Sequence, residues 1–462
     1  MITSPAFSGK RYAVLGLARS GLATVEALLA SGASVTAWDA DEIKRDVLIL
    51  PGTGRGAGEG GGGGSPSSAT LADSPLHHPA DGPPPHAAHR EELVLADPLE
   101  IDLTGYDAII VSPGVPLNKH PIAAHAKAAG VPVIGDIELF AQARASLPPH
   151  KVVGITGTNG KSTTTALIHH ILQTAGVPTL MGGNIGLPIL SRDPLPAGGV
   201  YVLELSSYQI DLTFSLDCDV AVLTNITPDH LDRYDGFDGY AASKYRLFEM
   251  QHPLNAAVLG ERQLSARVPN NTMLLALDYS ERQGNWPALQ GPHNQQNAAC
   301  AIAVMEVLGV DEALVEKGLR TYPGLPHRME RVTTHNGVLY VNDSKATNAT
   351  ATAPALAAYP VIHWILGGLA KTDDLDDCAP YFDHVKSGYT IGKAGPMFAE
   401  ILRAAGKIVL ESGTLDQAVK DAAAAARSGE VVMLSPACAS FDQFKDYEAR
   451  GDAFRAAVGA LA

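Results

Sequence analysis

The chain has 462 residues, more than one hydrophobic core ordinarily serves, so two or three domains are expected. Its 46% hydrophobic content suits a globular enzyme, and no run of about 18 apolar residues marks a membrane span, so no membrane insertion is expected. A formal net charge of -15 opposes nucleic acid and anionic surfaces as partners, while a local basic pocket for a small anion remains compatible with it.

The N-terminus passes almost at once into an apolar strand, without the apolar core and cleavage site of a signal peptide, which points to the cytoplasm. In RYAVLGLARSGLATVEALLASGASVTAWDA a strand meets Gly16 and Gly21, a helix follows, and a second strand ends at Asp39. This is half of a βαβ nucleotide unit, but the glycine spacing departs from GxGxxG, so NAD, a nucleotide sugar and a plain helix–strand contact all stay open. From about 51 to 90 the chain is too rich in glycine and proline to offset its ordering cost, and a flexible surface insertion is expected. His77, His78, His86 and His89 within it lack the carboxylate or thiolate company of a metal site. YDAIIVSPGVP, breaking at Pro113-Gly114, and VPVIGDIELF continue a small parallel sheet.

A second unit begins near Lys151. Val152, Val153 and Ile155 form a strand that runs into GITGTNGKSTTT, where Gly157, Thr158, Asn159 and Gly160 make a tight turn and Lys161, Ser162 and Thr163 open a helix. A cation and hydroxyls at a helix N-terminus are what a nucleotide phosphate and its magnesium require. The strict Walker pattern fails, because Ile155 stands where a glycine would precede the lysine by six residues. Glu204 closes the apolar run YVLEL and His230 lies in TPDH after another strand, so both can face the same phosphates. The plainer alternatives are a carboxylate hydrogen-bonded to loops for Glu204, and capping or substrate contact without metal for His230. Lys244, in YAASKYRLF, ordinarily reads as an exposed solubilising lysine, and its chemistry stays undecided at this level. Asn294 and Asn297, in GPHNQQN, suit either a helix cap or adenine recognition.

Beyond LPHRME a third unit alternates strands with polar loops: VLYVNDSKATN, HWILGGLAKTDD and VVMLSPACASFDQF. Arg328, Asp343, Lys345, Thr347 and Lys371 supply fixed cations with hydrogen-bonding partners, as anion binding needs. The four cysteines, Cys218, Cys300, Cys378 and Cys438, form neither metal pairs nor a disulfide framework.

Taken together, GITGTNGKST, GGNIG, LELSSYQ, NITPDHLDRY, YAASKYRLF, LPHRME, NDSKATN and SPACASFDQF resemble the Mur amide-ligase family over nearly the whole chain. The resemblance implies an α/β chain of three domains. A Rossmann-like UDP-substrate domain would occupy 1–145, a P-loop ATPase-like domain 146–328 and a Rossmann-like D-glutamate domain 329–462. It implies ATP-dependent joining of D-glutamate to UDP-N-acetylmuramoyl-L-alanine through an acyl phosphate, a bacterial, cytoplasmic step of peptidoglycan precursor synthesis carried out by a monomer.

The site residues carried over are implied in the same way. Lys161 meets the ATP phosphates. Ser162 or Thr163 with Glu204, and His230 separately, serve two Mg2+ ions, and Lys244 is carbamylated (N6-carboxylated) into an anionic magnesium organiser. Asn294, Asn297, Arg328 and Asp343 surround ATP, with Lys345 and Thr347 at the amino-acid and phosphate end. Lys371, Ser440, Phe441 (by its backbone) and Tyr447 form the D-glutamate pocket, packing being the alternative for Tyr447. Ser112, Gly114, Gly183, Asn184 and Gln209 hold the muramoyl portion, and Leu17, Arg19, Ser20 and Asp39 the uridine end. A folate polyglutamating ligase is the nearest alternative enzyme, and a noncatalytic nucleotide-binding module the alternative of another class.

Overall fold

In the computed structural model, residues 1–49, 92–230, 233–269 and 272–461 are described. The Gly/Pro/His-rich stretch at about 51–90, with its four histidines, lies outside them. Two compact units emerge: Met1–Leu147 with Leu187–Pro194 and Asp211–Leu216, and Pro148–Gly186 with Leu195–Ile210 and Asp217–Ala462.

The first unit contains β1 (Arg11–Leu15), β2 (Ser34–Trp38), β3 (Leu93–Leu95), β4 (Ala108–Val111) and β5 (Val133–Ile134). They form a parallel sheet in the order β3-β2-β1-β4-β5. Strand order reverses between β1 and β4, and the loops that leave these two strands flank the crevice where open α/β sheets bind ligands. The glycine pattern after β1 has a steric cause. Gly16 has φ +97°, and a Cβ on Gly21 would overlap the Gly16 carbonyl, so the helix Arg19–Ala30 enters only because both positions lack side chains. The second excursion, Asp211–Leu216, is clasped within this unit by buried Glu138, which accepts from the backbone of Phe214 (2.7 Å) and Ser215 (2.9 Å) and from the Ser215 hydroxyl (2.7 Å).

The second unit carries two six-stranded sheets. β6 (His150–Thr156), β7 (Thr179–Gly183), β8 (Gly199–Glu204), β9 (Val220–Leu223), β10 (Ala256–Leu259) and β11 (Thr272–Leu275) are parallel, in the order β11-β10-β9-β6-β8-β7. Every residue of β8 and β9 is buried, as expected of strands covered on both faces. The helix Lys161–Thr174 packs Leu167, Ile168 and Ile171 onto Val153, Val202 and Val222. The other sheet comprises β12 (Glu330–His335), β13 (Val338–Asn342), β14 (Ile362–Gly367), β15 (Val385–Ile391), β16 (Ile408–Gly413) and β17 (Val431–Leu434), ordered β12-β13-β17-β14-β15-β16. Only its edge strand β12 is antiparallel, turned by Asn336-Gly337 with φ +52° and +76°, the left-handed pair that two-residue hairpins favour. Apolar clusters fill both faces of this sheet, one around Trp364 and Phe398 and the other around Tyr340 and Phe454.

Candidate active site

The loop from Gly157 to Gly160 joins β6 to its helix and is held from behind by the end of β9. Gly157 and Gly160 have φ +146° and +83°, and a Cβ at either would overlap a side chain, Thr224 Oγ1 or Asn297 Oδ1 respectively. Thr158 N–H donates to the Asn225 carbonyl (2.9 Å) and Asn159 N–H to Asn225 Oδ1 (2.9 Å), while the Thr224 hydroxyl donates to the Asn159 carbonyl (2.6 Å). With these N–H groups committed, anion contacts fall to the helix start from Gly160 onward. Lys161 donates to the carbonyls of Gly157 (2.9 Å) and Thr158 (2.8 Å). Burial of its ammonium end lowers its pKa, Glu204 opposes that shift, and Arg328 adds to it.

Glu204 ends β8 beside Ile155 of β6, which places its carboxyl next to the loop. It is buried, and Oε1 accepts from Asn184 Nδ2 (3.0 Å). Oε2 is buried with no hydrogen-bond partner. An unpartnered carboxylate oxygen at a phosphate loop fits a hard divalent cation, which takes oxygen ligands. Among the described residues no group of three or more His, Cys, Asp or Glu side chains gathers as a metal centre. His230 lies in an exposed left-handed turn (φ +52°), its ring 5.2 Å from that of Tyr208.

Lys244 departs from the exposed lysine its local sequence suggests. It is 1% exposed, donates to the Gly157 carbonyl at 2.8 Å, and lies 4.5 Å from the centre of the Tyr240 ring. The Tyr240 hydroxyl pairs with Thr158 Oγ1 (3.2 Å), so helix Gly236–Glu249 touches the phosphate loop twice. Asn294 and Asn297 are not helix caps: both are buried inside the helix Pro292–Leu308, whose N-cap is Gly291. Asn297 accepts from Thr164 Oγ1 (3.2 Å) and donates to Asn294 Oδ1 (3.1 Å).

Arg328 sits between two non-glycine residues in the left-handed region, His327 (φ +60°) and Met329 (φ +49°). Each such residue costs about 1 kcal/mol or more and persists only where the surroundings fix it. Here the His327 carbonyl takes the Lys345 N–H (3.0 Å) and Met329 N–H is held by Asp343 Oδ1 (3.1 Å). Asp343 is buried, accepts also from Ser435 Oγ (2.8 Å), and has its pKa pushed up to about 7 by burial. The Lys345 ammonium lies 3.8 Å from the centre of the Tyr447 ring, so Tyr447 orients a cation as well as packing. Burial lowers the Lys345 pKa, with Arg328 next in effect. Asn159, Thr163, Asn297, Arg328, Asp343 and Lys345 line one cleft of about 140 Å3, which Gly160 and Asn294 share.

Other expected residues fall around this cleft or elsewhere. The loops after β14 and β17 are bridged by Leu369 and Ala439, which sets exposed Lys371 and buried Ser440 on neighbouring segments; the Phe441 side chain is exposed. Thr347 is partly buried just beyond Lys345. Gly183, at φ +87°, has no room for a Cβ against the Glu204 carbonyl, whereas Gly114 is sterically open. Gln209 is buried and accepts from Ser206 N (3.1 Å). In the first unit, Asp39 braces the β1 loop by accepting from Leu17 N–H (2.7 Å), and Ser112 Oγ donates to the Gly16 carbonyl (3.1 Å). Arg19 and Ser20 open the helix that follows.

Three residues escaped sequence reasoning. Thr224 stands just before NITPDHLDRY and Asn225 opens it, and the two brace the loop. Arg450 is 1% exposed and ties Ser344 to the Cys438 carbonyl, yet in sequence it resembles any helix-surface arginine.

A phosphate loop at the head of a parallel sheet, joined by a cation-bearing segment of a second sheet, defines a nucleotide-dependent α/β enzyme of the acid–amine ligase class. Residues 155–287 match the Mur ligase middle domain and 327–438 the Mur ligase glutamate ligase domain. UDP-N-acetylmuramoylalanine–D-glutamate ligase of Novosphingobium aromaticivorans is 59% identical, over 100% of this chain and 97% of that protein. The enzyme of the same name from Caulobacter vibrioides is 41% identical, over 100% and 98%. Among solved structures, the UDP-N-acetylmuramate-alanine ligase MurC of Thermotoga maritima superposes with a TM-score of 0.55 at 15% identity, covering 98% of this chain and all of that one. Escherichia coli FolC with DHPP and ADP gives 0.51 at 17%, covering 71% and 94%. The chain belongs to the Mur ligase family and has its three-domain α/β architecture. Among the described residues no helix is long and apolar enough to cross a membrane.

Proposed function

We infer that this protein joins D-glutamate to UDP-N-acetylmuramoyl-L-alanine with conversion of ATP to ADP and phosphate, a bacterial, cytoplasmic step of peptidoglycan precursor synthesis. The observation that carries this reading is the 59% identity, over the whole chain, to a UDP-N-acetylmuramoylalanine–D-glutamate ligase, and the meeting of the phosphate loop with Arg328, Asp343 and Lys345 around one cleft supports it. The ATP γ-phosphoryl group passes to the terminal L-alanine carboxylate, giving an acyl phosphate. The D-glutamate amine then attacks its carbonyl carbon and phosphate leaves, forming the amide.

Residues 1–145 recognise the UDP substrate through Leu17, Arg19, Ser20, Asp39, Ser112 and Gly114, with Gly183, Asn184 and Gln209 toward the muramoyl part. Residues 146–328 bind ATP and 329–462 present D-glutamate, through Lys371, Ser440, the Phe441 backbone and Tyr447. Lys161, Arg328 and Lys345 set positive charge around the transferring phosphoryl group, and stabilisation of charge developing there is the largest catalytic term this arrangement supplies. Asn294, Asn297 and Asp343 orient the nucleotide, and Thr347 stands at its phosphate end. Magnesium, when bound, would neutralise phosphate charge, with Glu204, Ser162 or Thr163, His230 and a carbamylated Lys244 as its holders. Carbamylation fits Lys244 because it would turn a buried ammonium beside the loop into an anionic oxygen donor.

The test is incubation of purified protein with magnesium, ATP, UDP-N-acetylmuramoyl-L-alanine and either D- or L-glutamate, with mass spectrometry of the product. An amide formed with D-glutamate alone is expected. Folded, nucleotide-binding protein that forms none would overturn the substrate assignment.

A further inference from the structure

Beyond the loop residues themselves, a line of side-chain amides runs from the phosphate loop to the end of β10. Asn225 grips both polar groups of one peptide residue: its Oδ1 accepts the Asn159 N–H (2.9 Å) and its Nδ2 donates to the Asn159 carbonyl (3.2 Å). That same Nδ2 donates to Gln296 Oε1 (3.2 Å), and Gln296 Nε2 donates to the Gly260 carbonyl (3.2 Å) and Glu261 Oε1 (3.5 Å). The orientation of an amide side chain is ordinarily ambiguous between its oxygen and nitrogen. Here backbone groups fix it at both ends, because Asn159 N–H can only donate and the carbonyls of Asn159 and Gly260 can only accept. A single arrangement of the two amides satisfies all of these bonds. Gln296 also lines a cleft of about 390 Å3 with Gly260, Leu277, Asp278 and His293, and both Gln296 and Asn225 border the cleft of about 140 Å3 that Asn159 lines.

We propose that Asn225 is a positioning residue for the phosphate loop, and that Gln296 acts through it by locking its amide in the one orientation that holds Asn159. The pair keeps the Asn159 N–H turned away from the nucleotide and so fixes the peptide plane that precedes Gly160 and Lys161. This rests on the reading of the loop as an ATP site.

The experiment is titration of the full-length protein with Mg-ADP by calorimetry, together with steady-state KM values for ATP, D-glutamate and the UDP substrate, for Asn225→Ala, Asn225→Asp, Gln296→Ala and the Asn225→Ala/Gln296→Ala double variant. Asn225→Ala removes two hydrogen bonds to one loop residue, and ADP affinity and KM for ATP should weaken about tenfold. Asn225→Asp should do no better, since its carboxylate cannot donate to the Asn159 carbonyl. Gln296→Ala should raise the same two constants about threefold. The KM values for D-glutamate and the UDP substrate should not move. Because Gln296 acts through Asn225, the double variant should match Asn225→Ala instead of multiplying the two effects.

Wild-type ADP affinity in folded Asn225→Ala or Asn225→Asp would overturn the proposal, as would multiplicative effects in the double variant or a uniform loss across all three substrates. Absence of ADP binding by the folded wild-type protein would overturn the ATP-site reading instead.

Discussion

Replacing Gly160 with alanine should damage the phosphate loop by an amount the structure sets. The residue is at φ +83°, ψ -14°, where an L side chain costs about 1 kcal/mol or more. Its new Cβ would also overlap Asn297 Oδ1, on a side chain 2% exposed. Asn297 can yield only by abandoning its bonds with Thr164 Oγ1 and Asn294 Oδ1, at about 1 kcal/mol each. The sum is about 3 kcal/mol. Gly176 supplies the control: its φ of +73° imposes a similar backbone strain, but a Cβ there meets nothing within 4 Å, so Gly176→Ala should cost only about 1 kcal/mol. Both variants are compared by urea denaturation monitored at the unit that contains them, and by the shift in melting temperature on adding Mg-ADP. Gly160→Ala should be the less stable by about 2 kcal/mol and should lose most of its ADP-induced shift, whereas Gly176→Ala keeps it. Equal destabilisation of the two, or a normal ADP shift in Gly160→Ala, would refute the reasoning.

Glu204→Gln keeps the oxygen that accepts from Asn184 and removes the negative charge, so kcat should fall about 100-fold while the melting temperature holds or rises; a kcat within threefold of wild type would remove Glu204 from the metal environment. Lys371→Ala should raise KM for D-glutamate about tenfold with KM for ATP unchanged, and unchanged amino-acid dependence would take Lys371 out of the pocket. Asp343, with its pKa raised from 3.8 to about 7, binds a proton in the folded state across a range where the unfolded chain has lost it. Its contribution to stability is therefore full below about pH 4 and is lost as pH rises to about 7, at most about 4 kcal/mol in all. Asp343→Asn should flatten the fall in stability between pH 4 and 7 by one proton; denaturation across that range that matches the wild-type slope would show that Asp343 does not carry it.

The strands and the phosphate loop were legible because their signals are local. An apolar run ending in GITGTNGKST needs no distant partner to be understood, and the loop appears where β6 meets its helix. Lys244 was not legible, because its burial is decided by how the helix Gly236–Glu249 docks, which YAASKYRLF does not encode within its own span. For Asn294 and Asn297 the sequence leaves capping and adenine recognition both open; that they are buried follows from contacts the sequence does not show, of Asn297 with Gly160 and Thr164 and of Asn294 with Asn297. The strained turn around Arg328 is nearly silent in sequence: histidine adopts left-handed backbone more often than most residues, but methionine does not, and nothing local marks two such residues flanking an arginine. In each case a contact between segments far apart in the chain overrides the local preference.

That override has an electrostatic counterpart. The chain as a whole carries a charge of -15, yet Arg328 and Lys345 line one cleft and Lys161 lies within electrostatic reach of Arg328. Burial and the neighbouring guanidinium lower the pKa of both lysines, so holding them charged costs free energy in the protein alone. A bound polyphosphate reverses the sign of that interaction, converting mutual repulsion into charge-assisted hydrogen bonds. ADP or ATP should therefore stabilise the second unit more than its contact area suggests, and the added stability should shrink as salt screens the partly exposed cations. The strain at His327 and Met329 belongs to the same arrangement, since it fixes the backbone from which Arg328 lines the cleft.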